Sequence, residues 1–188
     1  MFYGGSFNCW LHGFGEGLHG WLQENAQGDA LSALAKAESE RARHRAYWRR
    51  RQDALPTNRI PDDLESHEIQ FFEQFIAAGN SIRLIPRDND IPPKSTNDFI
   101  WENNGQIEVE VKNVRRGKYD SIAREVRDAV SGAKTHDVTK NNFIVIQQWR
   151  PTAKLINQLA RFNQRNPTNQ ISRLWIWQRM ELVEVILK

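Results

Sequence analysis

Asn97-Asp98-Phe99-Ile100-Trp101 is followed by the polar interval Glu102-Asn103-Asn104-Gly105-Gln106 and then by Ile107-Glu108-Val109-Glu110-Val111-Lys112-Asn113. The two flanking pieces run or alternate apolar as strands do, and the Asn-Gly pair between them favours a tight turn, so the segment predicts a β-hairpin. In the second strand the period of two puts Glu108, Glu110 and Lys112 on one face and Ile107, Val109 and Val111 on the other. With Asp98 facing the same space from the first strand, two carboxylates and an ammonium converge where a hard divalent cation, Mg²⁺ or Mn²⁺, can bind. Such a set suits phosphodiester cleavage. The carboxylates hold the metal, the metal activates water and neutralises charge on the scissile phosphate, and Lys112 steadies the nucleophile or the transition-state oxygens. The competing reading is an ordinary wet strand face, because Glu-Val-Lys triplets also arise by chance.

Upstream of the hairpin, Ser81 to Pro86 reads as a strand and Arg87 to Lys94 as a loop of turn formers with two prolines. Before them, a helix from about Pro61 to Ala78 should stop at Gly79-Asn80. Leu64, Ile69, Phe71, Phe72, Phe75 and Ile76 share one broad apolar arc of that helix, and Glu68 falls in its middle. A carboxylate there is costly unless a metal or a cation pairs with it, or unless it caps a neighbouring backbone group.

Downstream, Arg115, Arg116 and Lys118 follow directly after Lys112 and suit phosphate contacts, or else form a soluble basic loop. Asp120 or Ser121 can cap a helix whose stripe is Ile122, Val126, Ala129, Val130 and Ala133. Lys134 and His136 lie at its end, and Lys134 is a further candidate for contact with nucleic acid. Asn142 to Gln148 is apolar enough to be a central strand buried on both faces, hence parallel to a neighbour. Thr152 to Asn163 gives an amphipathic helix, and Leu174 to Trp177 with Leu182 to Leu187 supplies terminal strand. Trp175 and Trp177 share one face and read as packing. Strands alternating with helices predict an α/β domain.

The remaining N-terminal third differs in kind. Residues 1 to 24 mix glycines with Phe2, Tyr3, Phe7, Trp10, Phe14 and Trp21, which argues against a stable helix but also against a fully solvated tail. His12 and His19 lack a third ligand at useful spacing, and Cys9 alone excludes an intrachain disulfide or a thiolate zinc site. A signal peptide's basic start and continuous apolar core are absent, and no stretch is long enough to span a membrane. From about Asp29 to Leu55 the chain reads as one helix. Residues 1 to 40 hold five acids, whereas residues 41 to 51 hold six arginines and no acid, so the net charge of +3 understates how unevenly charge is placed. This basic helix, with Arg43 and Arg50 among its cations, reads either as a phosphate-binding arm or as a solvated linker. Pro56 to Pro61 breaks it, predicting a division into an N-terminal segment, 1–58, and a compact domain, 59–188. Walker, G-x-S-x-G, H-E-x-x-H and zinc-ligand spacings are all absent.

Asp98, the hairpin and Glu110-x-Lys112, in this order, resemble the PD-(D/E)xK nuclease superfamily, with Asn97 where the family's proline stands. The resemblance covers about 100 residues. It implies a restriction-endonuclease-like mixed sheet flanked by helices, with Asp98 and Glu110 as metal ligands, Lys112 as the catalytic cation and Glu68 as an extra ligand from the first helix. A helix ending in Ala-Ala-Gly, the loop Lys94-Ser95-Thr96-Asn97-Asp98-Phe99 and the Glu-Val-Lys triplet together resemble the C-terminal nuclease toxins of contact-dependent growth inhibition systems. That likeness implies an RNA substrate, tRNA above all, action in the cytoplasm of a target bacterium, and a cognate immunity protein of acidic character. A DNA endonuclease of a mobile element, restriction or repair system, and a non-catalytic nucleic-acid-binding module, are the alternatives.

Overall fold

The structure, a computed structural model, describes the backbone of residues 10–87 and 96–188 and the side chains from residue 30 onward. Cys9, the side chains of His12 and His19, and the loop through Lys94 and Ser95 lie outside the described residues. The chain divides into two compact units, Met1–Trp48 and Arg49–Lys188. Helix α1, Trp10–Asp53, is much longer than the sequence predicts. It runs through Gly13, Gly15, Gly17 and Gly20, each weakening a helix by about 1 kcal/mol relative to alanine. No proline precedes Pro56, so no residue removes a helical hydrogen bond.

In the second unit, α2 spans Ser66–Ala77 and starts later than periodicity alone suggests. The reason is its cap: the Glu65 N–H donates to Glu68 Oε2 at 2.7 Å, turning the acid in the apolar arc back on the helix's own N-terminus. Gly79, at φ 92°, ends the helix as expected, with its N–H on the Ile76 carbonyl. Strands β1 (Ile82–Leu84), β2 (Phe99–Trp101) and β3 (Ile107–Asn113) pair antiparallel, with Phe99 opposite Val109 and Trp101 opposite Ile107. The hairpin turn is a 3-10 turn over Glu102–Asn104 followed by Gly105 and Gln106 at positive φ, not a two-residue turn. Helix α3 (Tyr119–Lys134) starts one or two residues before the predicted caps, with Lys118 at the N-cap position. Strand β4 (Asn142–Ile146), helices α4 (Ala153–Ala160) and α5 (Phe162–Arg165), and strands β5 (Arg173–Gln178) and β6 (Glu181–Val185) complete it.

The six strands form one mixed sheet in sequential order, with β3, β4 and β5 parallel and both edges antiparallel. The α/β fold read from the sequence is therefore present, with β4 central and parallel to both neighbours. Because alternate strand residues face opposite ways, the sheet has two cores. On one side Phe71, Phe72 and Phe75 of α2 meet Phe99, Trp101, Val109, Val111, Trp175 and Trp177. Trp177 packs against Phe71 and Phe75, and Trp175 against Trp101, so both indoles are packing residues. On the other side α3, α4 and α5 cover Phe143, Val145, Leu174 and Ile176. Each fully buried aromatic or aliphatic side chain contributes about 1.5–3 kcal/mol, so these two layers fix the hairpin rigidly against β4.

Residues 49 to 58 are tied into this unit. Leu55 is buried in the α2 core. Gln52 donates to the Asp62 carbonyl at 2.7 Å and accepts from the Leu64 N–H at 2.9 Å. Strand β1 lies at the sheet edge, and Asn58 satisfies both the N–H and the carbonyl of Leu84 there, at 2.7 and 3.0 Å, as a neighbouring strand would. Arg49 pairs with Asp63 at 2.8 Å, and Arg51 forms a two-point ion pair with Glu73. Two of the six clustered arginines thus hold the end of α1 to the domain.

Candidate active site

The hairpin register places Asp98 one step before Phe99 and hence beside Glu110, as the spacing predicts. Asp98 is fixed at both ends. Its backbone N–H donates to the Val109 carbonyl at 3.0 Å, and its Oδ2 accepts the Val111 N–H at 2.6 Å. Glu110 is buried. Its Oε1 lies 2.6 Å from the Lys112 ammonium and its Oε2 2.6 Å from the ammonium of Lys140. Lys140, itself buried, stands just before β4 and reaches back to Glu110. A buried ammonium persists only with a counter-charge, and Glu110 supplies it for both lysines.

The electrostatics follow from this crowding. Burial pushes the Asp98 carboxyl up, the Glu110 charge pushes it further, and the Val111 hydrogen bond opposes them only in part. Glu68 adds a smaller upward push and Lys112 a smaller downward one, leaving the group at about 7, against an ordinary 3.8. Lys112 loses stability as a cation through burial but gains more from Glu110, Asp98 and Glu125 of α3, so its pKa lies above the usual lysine value. It is an ammonium at neutral pH, held on a carboxylate and partly open to solvent.

Glu68 is only partly brought into the site. One oxygen caps Glu65, and both lie within 3.2 Å of Arg87, so the capping role that the sequence left open is the one its hydrogen bonds display. Its charge still reaches Asp98. Among the described residues no group of three or more His, Cys, Asp or Glu side chains is placed to hold a metal ion. The donor chemistry of Asp98 and Glu110 nevertheless suits Mg²⁺, which is commonly held by one or two carboxylates with waters and substrate phosphates completing the octahedron. After burial, the main cause that raises Asp98 is like-charge repulsion from Glu110, and that repulsion is what a bound cation relieves.

The predicted phosphate-binding residues fall in different places. Arg115, Arg116 and Lys118 line one cavity beyond the end of β3. Lys134 donates to the Thr168 carbonyl and lies 3.2 Å from Asn169 Oδ1, tying the end of α3 to the loop before β5. Arg43 belongs to the first unit and donates to Ser39 Oγ at 3.2 Å, while Arg50 is exposed in the last turn of α1. Sequence reading missed Lys140 and Glu125. Lys140 carries a signal, as a lysine at the entry to an otherwise apolar central strand, but a strand-entry lysine is usually solvated. Glu125 sits among alternating charges of α3 with nothing to mark it.

No protein-family profile matches this chain, and no curated protein matches it. Among solved structures, a chain of the CdiA-CT/CdiI toxin and immunity complex from Burkholderia pseudomallei is similar over 69% of this chain and 97% of that one. The two share 13% sequence identity and superpose with a TM-score of 0.46. The likeness concerns the course of the backbone.

Proposed function

We propose that the chain is a metal-dependent endonuclease that cleaves RNA, tRNA being the favoured substrate, as the toxic domain of a growth-inhibition system. One observation carries the enzymatic part: Lys112 and Glu110 meet at 2.6 Å in a part-buried site beside Asp98, whose carboxyl is raised first by burial and then by the Glu110 charge. A wet strand face offers none of this, since exposed ion pairs are screened and do not perturb their neighbours strongly. Asp98 and Glu110 would hold Mg²⁺ or Mn²⁺, which supplies an activated water and charge neutralisation at the phosphate.

The chain's own residues account for the rest. The Val111 N–H fixes the Asp98 carboxylate on the hairpin. Lys140 holds Glu110 from the side opposite Lys112, so that Glu110 keeps one orientation. The Lys112 ammonium is positioned to stabilise charge growing on the phosphate oxygens or to orient the attacking water. Glu68 stays with Arg87 and the α2 cap, and acts on the site through its charge. The toxin part of the reading rests on the sequence pattern around Ala-Ala-Gly, Asn97-Asp98-Phe99 and Glu-Val-Lys. It implies an acidic immunity protein that covers the basic surface. No helix among the described residues is long and apolar enough to cross a membrane.

The test is incubation of the purified chain with total RNA and with plasmid, in Mg²⁺, in Mn²⁺ and in chelator, resolved on gels. Metal-dependent loss of the tRNA bands is the expected result. Cutting of plasmid alone would assign DNA as substrate, and intact nucleic acid in every lane would remove the enzymatic reading.

A further inference from the structure

We propose that the cleft between the β3–α3 loop and the β4–α4 loop is a nucleotide subsite, in which Trp149 stacks an unpaired base and Arg115, Arg116, Lys118 and Arg150 hold the adjoining phosphates. This rests on the nucleic-acid reading above. The cleft lies at the carboxyl ends of two adjacent parallel strands, between the loops that lead from them into α3 and α4. Its volume is about 410 Å³, and its lining carries four cations and no acid. None of the four makes an ion pair with a described residue. That sets them apart from Arg49, Arg51 and Arg87, which are all neutralised by carboxylates.

Trp149 is the second observation. It is 68% exposed, whereas Trp101, Trp175 and Trp177 are buried at 6%, 4% and 3%. An indole left on the surface among arginines, beside the apolar edges of Pro151 and Leu155, contributes nothing to the core but presents a flat apolar face in a cationic hollow. Those are the two elements that bind a single strand: cations that track the backbone and an aromatic ring on which any base can stack. A duplex presents phosphates but keeps its base faces stacked, so the ring selects unpaired nucleotides.

The loop is also held in shape. Gln147, buried at the end of β4, donates to the Val114 carbonyl at 2.7 Å, and a Cβ on Gly117 would come within 3.2 Å of its Oε1. Two helices begin at the cleft, α3 with Lys118 and α4 with Thr152 as N-caps, and their N-terminal dipoles add to the anion preference. Arg115 follows Lys112 by three positions, about 10 Å along an extended chain, so a strand seated in the cleft leads towards Lys112.

The experiment is fluorescence anisotropy with labelled RNA of about a dozen nucleotides, single-stranded or as a blunt duplex, in chelator so that nothing is cleaved. Trp149→Ala is expected to weaken single-strand binding about tenfold, the effect of losing one stacked base, with the duplex little changed. Trp149→Phe should restore most of the loss. Replacing Arg115 and Arg116 by alanine should lower the slope of log affinity against log salt by about 1.4 for the single strand. Unchanged single-strand binding by Trp149→Ala, or equal loss on both RNAs, would overturn the subsite. Because the readout needs no turnover, the two readings fail separately. An uncleaving protein that loses single-strand binding with Trp149 refutes the nuclease and keeps the subsite, and a nuclease indifferent to Trp149 does the reverse.

Discussion

Asp98→Asn should stabilise the folded protein, and by an amount that depends on pH. In the fold the Asp98 carboxyl is raised from an ordinary 3.8 to about 7, with burial as the first cause and Glu110 as the second. A raised acid keeps its proton in the fold over a range where the unfolded chain has lost it. Stability therefore falls as pH rises from about 4 to about 7, and the whole penalty is present above about 7. Three pKa units at 1.36 kcal/mol each give a penalty of about 4 kcal/mol at pH 8. Asparagine removes it while its carbonyl still accepts the Val111 N–H. The assay is urea unfolding of wild type and variant between pH 4 and 8.5 without divalent metal, plotted as the difference in free energy. Near pH 4 the difference should be small, rising through pH 5 to 7 and then level. A difference independent of pH, or a less stable variant at pH 8, would refute the account of a crowded carboxylate site.

Glu110→Gln should cost about 3–5 kcal/mol in the same unfolding assay, because it strands the buried Lys140 ammonium beside Lys112, and adding Lys140→Met should recover much of the loss; a single variant as stable as wild type would show that the lysines are not held by that carboxylate. Residues 49–188 should keep a cooperative thermal transition. A chain starting at residue 59 should be less stable by about 3 kcal/mol or more, having lost Leu55 and the Asn58 and Gln52 hydrogen bonds, and equal melting of the two would contradict the packing described. Neutralising Arg41, Arg43 and Arg45 together should lower the salt slope of duplex binding by up to about 2.7 if these arginines contact phosphates, whereas an unchanged slope would leave this stretch of α1 a linker.

The hairpin, the central β4 and the two packed tryptophans are legible in the sequence because each depends on a local period or a turn residue. Asp98 and the Glu110-x-Lys112 triplet are legible for the same reason, since strand register alone sets them side by side. Glu68 shows the limit. Its place in an apolar arc reads as a buried charge in need of a partner, but the partners, Arg87 and the Glu65 N–H, depend on where the helix starts. Lys140 is ambiguous for a related reason: its place at the entry to an apolar strand is visible, but its partner Glu110 is reached across a parallel pairing 30 residues away in sequence, which no local pattern encodes. That pairing also alters the chemistry of testing. The structure makes Glu110 the counter-charge of two lysines, so loss of activity in Glu110→Gln would mix catalysis with stability. The end of the basic helix is the third case, since Arg49 and Arg51 look like phosphate ligands until Asp63 and Glu73 are placed beside them.

Lys112 is the cleaner probe, being partly exposed and leaving Glu110 paired with Lys140 when removed. The decisive measurement is the single-turnover rate of RNA cleavage in Mg²⁺ by Lys112→Ala beside wild type and Glu108→Gln, with thermal melts of all three. A loss of at least about a hundredfold in Lys112→Ala, with folding retained and Glu108→Gln close to wild type, is the expected result, as for removal of one electrostatic catalytic group. A folded Lys112→Ala protein that cuts as fast as wild type would reduce the Glu-Val-Lys triplet to a strand face and contradict the assignment of this site.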